Sequence, residues 1–212
     1  LDCDDDLYSA AITDLQLQPD LKLGKTFEQL EQERAANIFA LQLCDGVTVS
    51  TEHLAEVCRG LTDKPVRVVP NAIDLERFRA ALSGYRRTTS GLTIGWAGGS
   101  RPDRDAVELA AAWSRIAARF PDVTFVVAGH PLHVLIDAVP ADRVRVLPNL
   151  PLDLYPRSYA EIDIGCATLA DEPFSRSKSP IKCWEYAAAG AAIVASPTVY
   201  GDCIRDRREG LL

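Results

Sequence analysis

Apolar, strand-like segments alternate with helix-like segments along most of the chain, and this alternation is the strongest constraint on its fold. Short runs of β-branched residues, such as VTFVVAG at 123–129, are separated by longer stretches with helical periodicity. Because these runs are apolar throughout, they predict strands that are buried on both faces. The pattern therefore predicts an α/β fold, with parallel sheets covered by helices on both sides.

The order of the segments suggests two successive parts. Residues 1–71 predict strand, helix, strand, helix and strand, with the first long helix at 27–43. The stretch 72–91 combines a short helix with a polar tail and is a candidate linker. From residue 92 onward the alternation resumes and is more regular. Parallel sheets of this kind bind ligands beyond the carboxyl ends of their strands, so the loops there are the first places to search for a site.

Composition narrows the classes of function. The formal net charge is −7, whereas general nucleic-acid binders are usually basic, so we expect no nucleic-acid partner. No apolar run approaches the ~20 residues that span a bilayer. The six cysteines include no C-x2-C pair, and such scattered thiols predict free cysteines in a reducing cytosol.

The segment SRSKSPIKCWEYAAAG carries the most informative charge pattern. It predicts a helix with Ser179 as its N-cap, so that Lys178 and Lys182 lie at the amino end, where the helix dipole disfavours cations. Since backbone amides at a helix start bind anions, a phosphate or diphosphate there would turn both lysines into partners. The alternative is a solvated basic loop with a surface pair between Lys182 and Glu185.

The same predicted helix continues with a carboxylate and an apolar face. Glu185 lies one turn after Lys182, on the same side, where it is well placed to accept hydrogen bonds from the vicinal hydroxyls of a ribose. An adjacent face carries Ile181, Trp184 and Ala188, which we expect to pack on the sheet.

A second loop, GWAGGSRPDRD, has the order strand, glycines, hydroxyl, arginine and helix. Gly98 and Gly99 permit a tight turn, and Ser100 and Arg101 are within reach of an anion there. Glycine turns after strands are common, so this loop gains weight only beside the first one.

The acidic start of the chain allows two interpretations. Asp2, Asp4, Asp5 and Asp6 have the oxygen ligands of a metal site, but a solvated turn is the simpler interpretation. His130 follows a strand end and is more typical of a loop histidine than of a ligand. No Ser–His–Asp order or nucleophile elbow is visible, so catalytic residues stay unassigned.

Three segments together resemble a known family. In the order VTVSTEHLAEVCRGL…VRVVPNAIDLERF, IGWAGGS and SKSPIKCWEYAAAGAAIVASP, they are similar to retaining glycosyltransferases of the GT-B fold in the large family-4 group, of the bacterial polysaccharide type. The likeness runs from about residue 45 to the end of the chain. It implies two Rossmann-like domains, with residues 1–84 as the end of the first plus a linker and residues 85–212 as a truncated second domain that binds the donor.

The resemblance also implies roles for individual residues. Lys182 and the amides beside it match the second diphosphate loop, Glu185 matches the acid that binds the ribose, and Leu150 and Leu152 fall where the nucleobase is read. The full expected diphosphate set is Gly99, Ser100, Arg101, Lys178, Ser179 and Lys182. Members of the family need no metal, because basic side chains and the helix dipole stabilise the leaving diphosphate.

The chain departs from the family at one position. The common pattern is Glu-x7-Glu, and counting back from Glu185 places Ser177 where the first acid contacts the transferred sugar. That contact is therefore unassigned. Since the family's first domain begins well before the point that matches Leu1, and the chain contains no methionine, we expect a piece of a longer enzyme that has little activity alone.

The expected function is a hexosyltransferase-like enzyme. It would transfer a sugar, with retention, from a nucleoside-diphosphate sugar to a glycan or lipid-linked acceptor, in the cytoplasm and at the inner membrane face through its other parts. Two alternatives stay open: a GT-B epimerase that acts on the nucleotide sugar itself, and a non-catalytic domain that binds a nucleotide or a partner. An epimerase would need acid and base residues in the cleft, and the sequence shows no strong set of them.

Overall fold

A computed structural model describes residues 1–9, 25–99 and 104–212. The predicted α/β class is confirmed, because parallel strands alternate with helices throughout these residues. The strands are β1 (Asp2–Cys3), β2 (Val47–Val49), β3 (Val66–Val68), β4 (Thr93–Gly98), β5 (Thr124–Gly129), β6 (Val144–Leu147), β7 (Ile164–Ala167) and β8 (Ala192–Ala195). The helices are α1 (Phe27–Leu43), α2 (Glu52–Arg59), α3 (Leu75–Leu82), α4 (Arg104–Arg119), α5 (His133–Ile136), α6 (Pro156–Ala160), α7 (Pro173–Arg176), α8 (Ile181–Ala189) and α9 (Pro197–Tyr200).

Two compact units share these elements. The first contains residues 1–71 and 171–180, and its three parallel strands lie in the order β1-β2-β3. Val49 of the central strand is fully buried and pairs with Cys3 on one side and Val68 on the other. Leu41 of α1 and Leu54 of α2 are buried in the same core, so both helices are fixed by apolar packing on this sheet.

The second unit contains residues 72–170 and 181–212, and its five parallel strands lie in the order β6-β5-β4-β7-β8. The chain moves outward from β4 through β5 to β6, then returns to the other side of β4 with β7. The strand order therefore reverses at β4, and such a reversal point is where open α/β sheets bind ligands beyond their carboxyl edge. The candidate linker at 72–91 belongs to this unit, and the expected division after residue 84 stays a prediction.

Separate cores cover the two faces of this sheet. Trp113 of α4 lies 5.1 Å, between ring centroids, from Phe125 of β5 on one face. Tyr159 and Tyr186 lie in the core of the opposite face. In the described part of the chain, no helix combines the length and the apolar character needed to cross a membrane.

The buried face of α8 differs from the expected one. Cys183 and Tyr186 are fully buried, whereas Trp184 is 37% exposed and Ile181 and Ala188 are only half-buried. The expectation that Ile181, Trp184 and Ala188 pack on the sheet was therefore wrong. Tyr186 occupies the buried face instead, and its hydroxyl accepts a hydrogen bond from the Ala97 amide (3.0 Å). If Trp184 faced the sheet in its place, the buried Ala97 amide would lose this acceptor.

Glu161, just before β7, fastens residues 85–89 to the sheet. Its carboxylate accepts hydrogen bonds from the Tyr85 hydroxyl (2.5 Å), from the Thr88 amide (2.8 Å) and from both the amide (2.9 Å) and the hydroxyl (2.8 Å) of Thr89. The side chain is only 1% exposed. The polar tail of the candidate linker is therefore held by a buried, fully hydrogen-bonded carboxylate.

Candidate functional site

The carboxyl ends of β4, β5 and β6 open into a cavity of about 150 Å³ in the second unit. Gly98 and Gly129 end two adjacent strands at its base, and Leu150, Tyr155 and Tyr159 form part of its wall. The cavity lies next to the strand β4, where the strand order reverses, as expected for a ligand site in a sheet of this kind.

Gly129 is essential to the shape of this cavity. Its φ of +93° lies in a region that L side chains rarely adopt. A Cβ on Gly129 would also collide with the carbonyl oxygen of Gly98 and would lie 3.2 Å from Oδ1 of Asn149. Glycine at position 129 therefore allows the ends of β4 and β5 to approach closely at the base of the cavity.

Lys182 lies in the first turn of α8, where the helix dipole disfavours it. Its Nζ is 4.4 Å from the ring centroid of Trp96, a cation–π contact that offsets part of this cost. A Cβ on Gly98 would lie 2.7 Å from Nζ, so the ammonium group borders a residue that also lines the cavity. The fold therefore holds a positive charge at the carboxyl end of β4.

Glu185 lies behind two tyrosines of the cavity wall, Tyr155 and Tyr159. The Tyr159 hydroxyl donates to Oε2 at 2.5 Å, and the Tyr155 hydroxyl lies close enough to affect the pKa of the carboxylate. Burial raises the pKa of Glu185, while these two hydroxyls and the nearby Lys182 ammonium partly counteract the shift by favouring the charged form. Glu185 is thus a partly desolvated carboxylate with a positive neighbour.

An aromatic cluster fixes the two tyrosines. The Tyr159 ring lies edge-on to Tyr186 at 5.2 Å and to Tyr155 at 6.1 Å, and Phe78 of α3 packs against Tyr155 at 5.5 Å, all between ring centroids. Sequence analysis did not identify Tyr155, Tyr159 or Trp96 as site residues. Tyr155 and Tyr159 lie on one face of a short helical segment, but that spacing alone does not distinguish a site from a core.

Of the other residues expected to bind the nucleotide, some lie at the cavity and others do not. Leu150 lines the cavity, whereas Leu152 is 63% exposed and does not. Gly99 follows β4 and is exposed. Ser100 and Arg101 lie outside the described residues, so the first diphosphate loop stays a prediction.

Lys178 and Ser179 belong to the first unit, in a segment that contains the one-turn helix α7 rather than only a loop. Lys178 forms an ion pair with Asp5, and its Nζ lies 4.3 Å from the ring centroid of Phe174. Ser179 Oγ accepts a hydrogen bond from Nδ2 of Asn71 (2.9 Å). Their predicted contact with a diphosphate is not tested by this arrangement and stays a prediction.

The acidic segment at the start of the chain includes a buried aspartate, so it is not simply a solvated turn. Asp6 is 2% exposed and accepts hydrogen bonds from the amides of Tyr8 (3.1 Å) and Ser9 (2.9 Å). Among the described residues, no group of His, Cys, Asp and Glu side chains is arranged to hold a metal ion. All six cysteines are free thiols.

Comparison with known families identifies the chain. Residues 91–212 match the family described as Glycosyl transferases group 1. The chain belongs to this family. It is also 28% identical, over 180 residues, to the Bacillus subtilis protein TuaH, which is named as a teichuronic acid biosynthesis glycosyltransferase. That alignment covers 77% of this chain but 43% of TuaH, so this group 1 chain spans less than half the length of the relative.

Solved structures of GT-B glycosyltransferases share the fold. A mutant of S. aureus TarM, solved with fondaparinux, α-GlcNAc-glycerol and UDP, matches with a TM-score of 0.58 and 14% identity, over 91% of this chain and 38% of the TarM chain. Anabaena HepE, solved with UDP and glucose, matches with a TM-score of 0.57 and 18% identity, over 84% of this chain and 52% of HepE. The expected GT-B-like architecture is confirmed.

Proposed function

We propose that this chain carries the donor site of a glycosyltransferase that uses a nucleoside-diphosphate sugar and a glycan or lipid-linked acceptor. The observation that carries the proposal is the convergence of Lys182, Glu185 and the cavity at one edge of the second sheet. Membership of the group 1 family supports the activity. The presence of UDP in the TarM and HepE structures supports a nucleotide as the ligand.

The proposed nucleotide follows the order of these three features. Its base occupies the cavity against Leu150, its ribose hydroxyls donate to Glu185, and its diphosphate meets Lys182 and the amides that begin α8. Lys182 and Glu185 are three residues apart on one helix, so their side chains project from neighbouring positions about 5–6 Å apart. That spacing suits a ribose and the phosphate attached to it.

Transfer requires stabilisation of the negative charge that grows on the departing diphosphate. The Lys182 ammonium and the amino end of α8 supply fixed positive potential in a partly desolvated place, where it is more effective than in water. The proposal includes no metal, so nucleotide affinity is expected to be unchanged by a chelator. Retention of the anomeric configuration is a further part of the proposal, checked by NMR on the product of a longer protein that turns over.

Calorimetric titration of the chain with UDP, GDP, ADP and uridine tests the site. Lys182→Met keeps the aliphatic stem on Trp96 but removes the charge, and we expect it to weaken a diphosphate far more than uridine. Glu185→Gln keeps the volume and is expected to weaken both. Lys64→Met, which removes a lysine charge from the first unit, serves as the control and is expected to bind like the wild type.

The outcome that would contradict the proposal is specific. If Lys182→Met and Glu185→Gln bind the preferred diphosphate as tightly as the wild type, the nucleotide does not occupy this edge of the sheet. Unequal affinities for UDP, GDP and ADP in the wild type would identify the base.

A further inference from the structure

The helix α3 ends the sequence segment VRVVPNAIDLERF, which carries part of the resemblance to the family but supplies no residue to the proposed nucleotide site. Asp74 caps this helix by accepting a hydrogen bond from the Arg77 amide (3.0 Å). Along α3, which the structure describes in full, only Phe78 and Ala81 are buried, whereas Leu75 is 49% exposed. Phe78 is therefore the large side chain that fastens α3 to the second unit.

The Phe78 ring packs against two tyrosines of the cavity wall. Its centroid lies 5.5 Å from that of Tyr155, in an edge-on arrangement, and 6.3 Å from that of Tyr159. The two tyrosine rings also lie edge-on to each other, at 6.1 Å. Because aromatic pairs have preferred geometries, the three rings fix one another's orientation.

A second set of contacts joins α3 to α6, the short helix that carries Tyr159. Nε of Arg157 donates to the carbonyl oxygen of Ala81 at 3.0 Å, and its guanidinium carbon lies 5.4 Å from the ring centroid of Tyr85. The hydrogen bond satisfies a carbonyl in the last turn of α3, where intrahelical donors run out. The two helices are therefore held together both in the core, through Phe78, and near the surface.

The tyrosines connect Phe78 to the carboxylate of Glu185. The Tyr159 hydroxyl donates to Oε2 of Glu185 at 2.5 Å, and Tyr155 lies close enough to affect the pKa of that carboxylate. Since a hydroxyl–carboxylate hydrogen bond weakens when its geometry is disturbed, the orientation of the tyrosine rings matters to Glu185. The other ionisable groups that act on Glu185 or on Tyr155 are Lys182, Arg77 and Asp74.

We propose that Phe78 is a positioning residue for Glu185, which fixes the rings of Tyr155 and Tyr159 and thereby the carboxylate that a ribose would meet. The inference deepens the proposed function and rests on it for the identity of the ligand. Phe78 is 1% exposed and is not one of the residues that line the cavity. An effect of Phe78 on nucleotide affinity must therefore pass through the residues on which it packs.

The first test is calorimetric titration of Phe78→Leu with the nucleoside diphosphate that the wild type prefers among UDP, GDP and ADP. Leucine keeps an apolar side chain in the core but removes the ring that meets the tyrosines, and we expect affinity to fall roughly fivefold. Phe125→Leu is the matched control, because Phe125 is equally buried but packs on Trp113 at the opposite face of the same sheet. It should lose stability and keep its affinity. An equal loss of affinity in both variants would overturn the proposal.

A double-mutant cycle separates positioning from a general loosening of the fold. If Phe78 acts through Glu185, Phe78→Leu has no further effect on affinity in the Glu185→Ala background, because the group that it positions is already absent. Effects of the two changes that simply add in the double variant would overturn the positioning role.

The carboxyl carbon of Glu185 gives a second readout that needs no nucleotide. Its NMR signal, followed through a pH titration, measures the pKa of Glu185, which burial raises and the hydrogen bond from Tyr159 counteracts. Phe78→Leu releases the tyrosine rings and weakens this donation, so the pKa should rise further, whereas Phe125→Leu should leave it unchanged. An unmoved pKa in Phe78→Leu would contradict the proposal.

This readout also distinguishes the two possible failures. A raised pKa in Phe78→Leu, in a chain that binds no nucleoside diphosphate, would support the positioning role while overturning the proposed nucleotide site. If Phe78→Leu does not fold, Arg157→Met replaces it, since that change removes the hydrogen bond to Ala81 without altering the aromatic core. The pKa of Glu185 should then rise by a smaller amount, and an unmoved value with native circular dichroism would overturn the proposal.

Discussion

Glu161 and Glu185 are two buried or half-buried carboxylates of the second unit with opposite properties. Burial alone would raise the pKa of Glu161, but hydrogen bonds from Tyr85, Thr88 and Thr89 outweigh it and lower the pKa to about 2. Burial likewise raises the pKa of Glu185, and there the hydrogen bonds from Tyr159 and Tyr155 do not overcome it. The balance between desolvation, which raises the pKa, and hydrogen bonds to the carboxylate, which lower it, decides the direction in each case.

The difference separates a structural carboxylate from one available to a ligand. Glu161 accepts four hydrogen bonds and has little acceptor capacity left. Glu185 accepts a hydrogen bond from Tyr159 of the cavity wall and keeps further acceptor capacity, so a ligand that donates hydrogen bonds would complete its environment. The comparison predicts that changing Glu161 affects stability, whereas changing Glu185 affects binding.

The largest effect is expected for Glu161→Gln. The side-chain NH2 of the new glutamine would face the hydrogen-bond donors of Tyr85, Thr88 and Thr89. We expect the free energy of unfolding to fall by about 3 kcal/mol or more, the range seen when buried charge networks are broken. Urea denaturation measures it. Glu185→Gln is the matched control, and a similar loss in both variants would remove the distinction between the two residues.

The pH dependence of stability is the next largest effect. The pKa of Glu161 is lowered from 4.5 to about 2, so its unfolded form binds a proton first as the pH falls. Its contribution, roughly 3 kcal/mol, is present above pH 4.5 and is lost as the pH falls towards 2. The difference in unfolding free energy between wild type and Glu161→Gln should therefore shrink over this window. A difference that is constant with pH would show that the carboxylate is not ionised in the fold.

The pH dependence of stability should be reversed for Glu185→Gln. Because the folded pKa is raised, the wild-type carboxyl favours folding most at acidic pH, and this contribution is lost as pH rises through the folded pKa. At neutral pH the variant should be as stable as the wild type or more stable, while its affinity for the nucleotide falls roughly tenfold. Loss of stability without loss of affinity would place Glu185 with Glu161 as a structural residue.

The smallest effects come from a pair of tyrosine variants. Tyr85→Phe and Tyr159→Phe each remove one hydroxyl that donates at 2.5 Å to a glutamate. Tyr85→Phe should lower stability by about 1–2 kcal/mol and leave nucleotide affinity unchanged. Tyr159→Phe should raise the pKa of Glu185 further, so that the pH at which nucleotide affinity falls moves upward. Calorimetry across a pH series detects this shift, and an unmoved profile would show that the Tyr159 hydrogen bond does not tune the carboxylate.

Local sequence predicted much of the fold and only part of the site. The helix predicted at 27–43 is α1, and the spacing of Lys182 and Glu185 correctly placed both on one helix. The packing face of α8 was predicted wrongly, because nothing local indicates that the Tyr186 hydroxyl bonds to the Ala97 amide, a residue 89 positions away in the sequence. The role of Tyr159 beside Glu185 lacked a local signal for the same reason.

The sequence by itself determined the order of strands and helices, the α/β class and the family, since periodicity and short motifs act over a few residues. Only the tertiary structure decided that Lys182 lies over Trp96, that Lys178 pairs with Asp5, and that Glu161 and Glu185 have pKa values shifted in opposite directions. These properties depend on which distant groups come within a few ångströms and on how much water is excluded there. Desolvation and hydrogen bonding act through space, so residues far apart in the chain determine the chemistry of each charge.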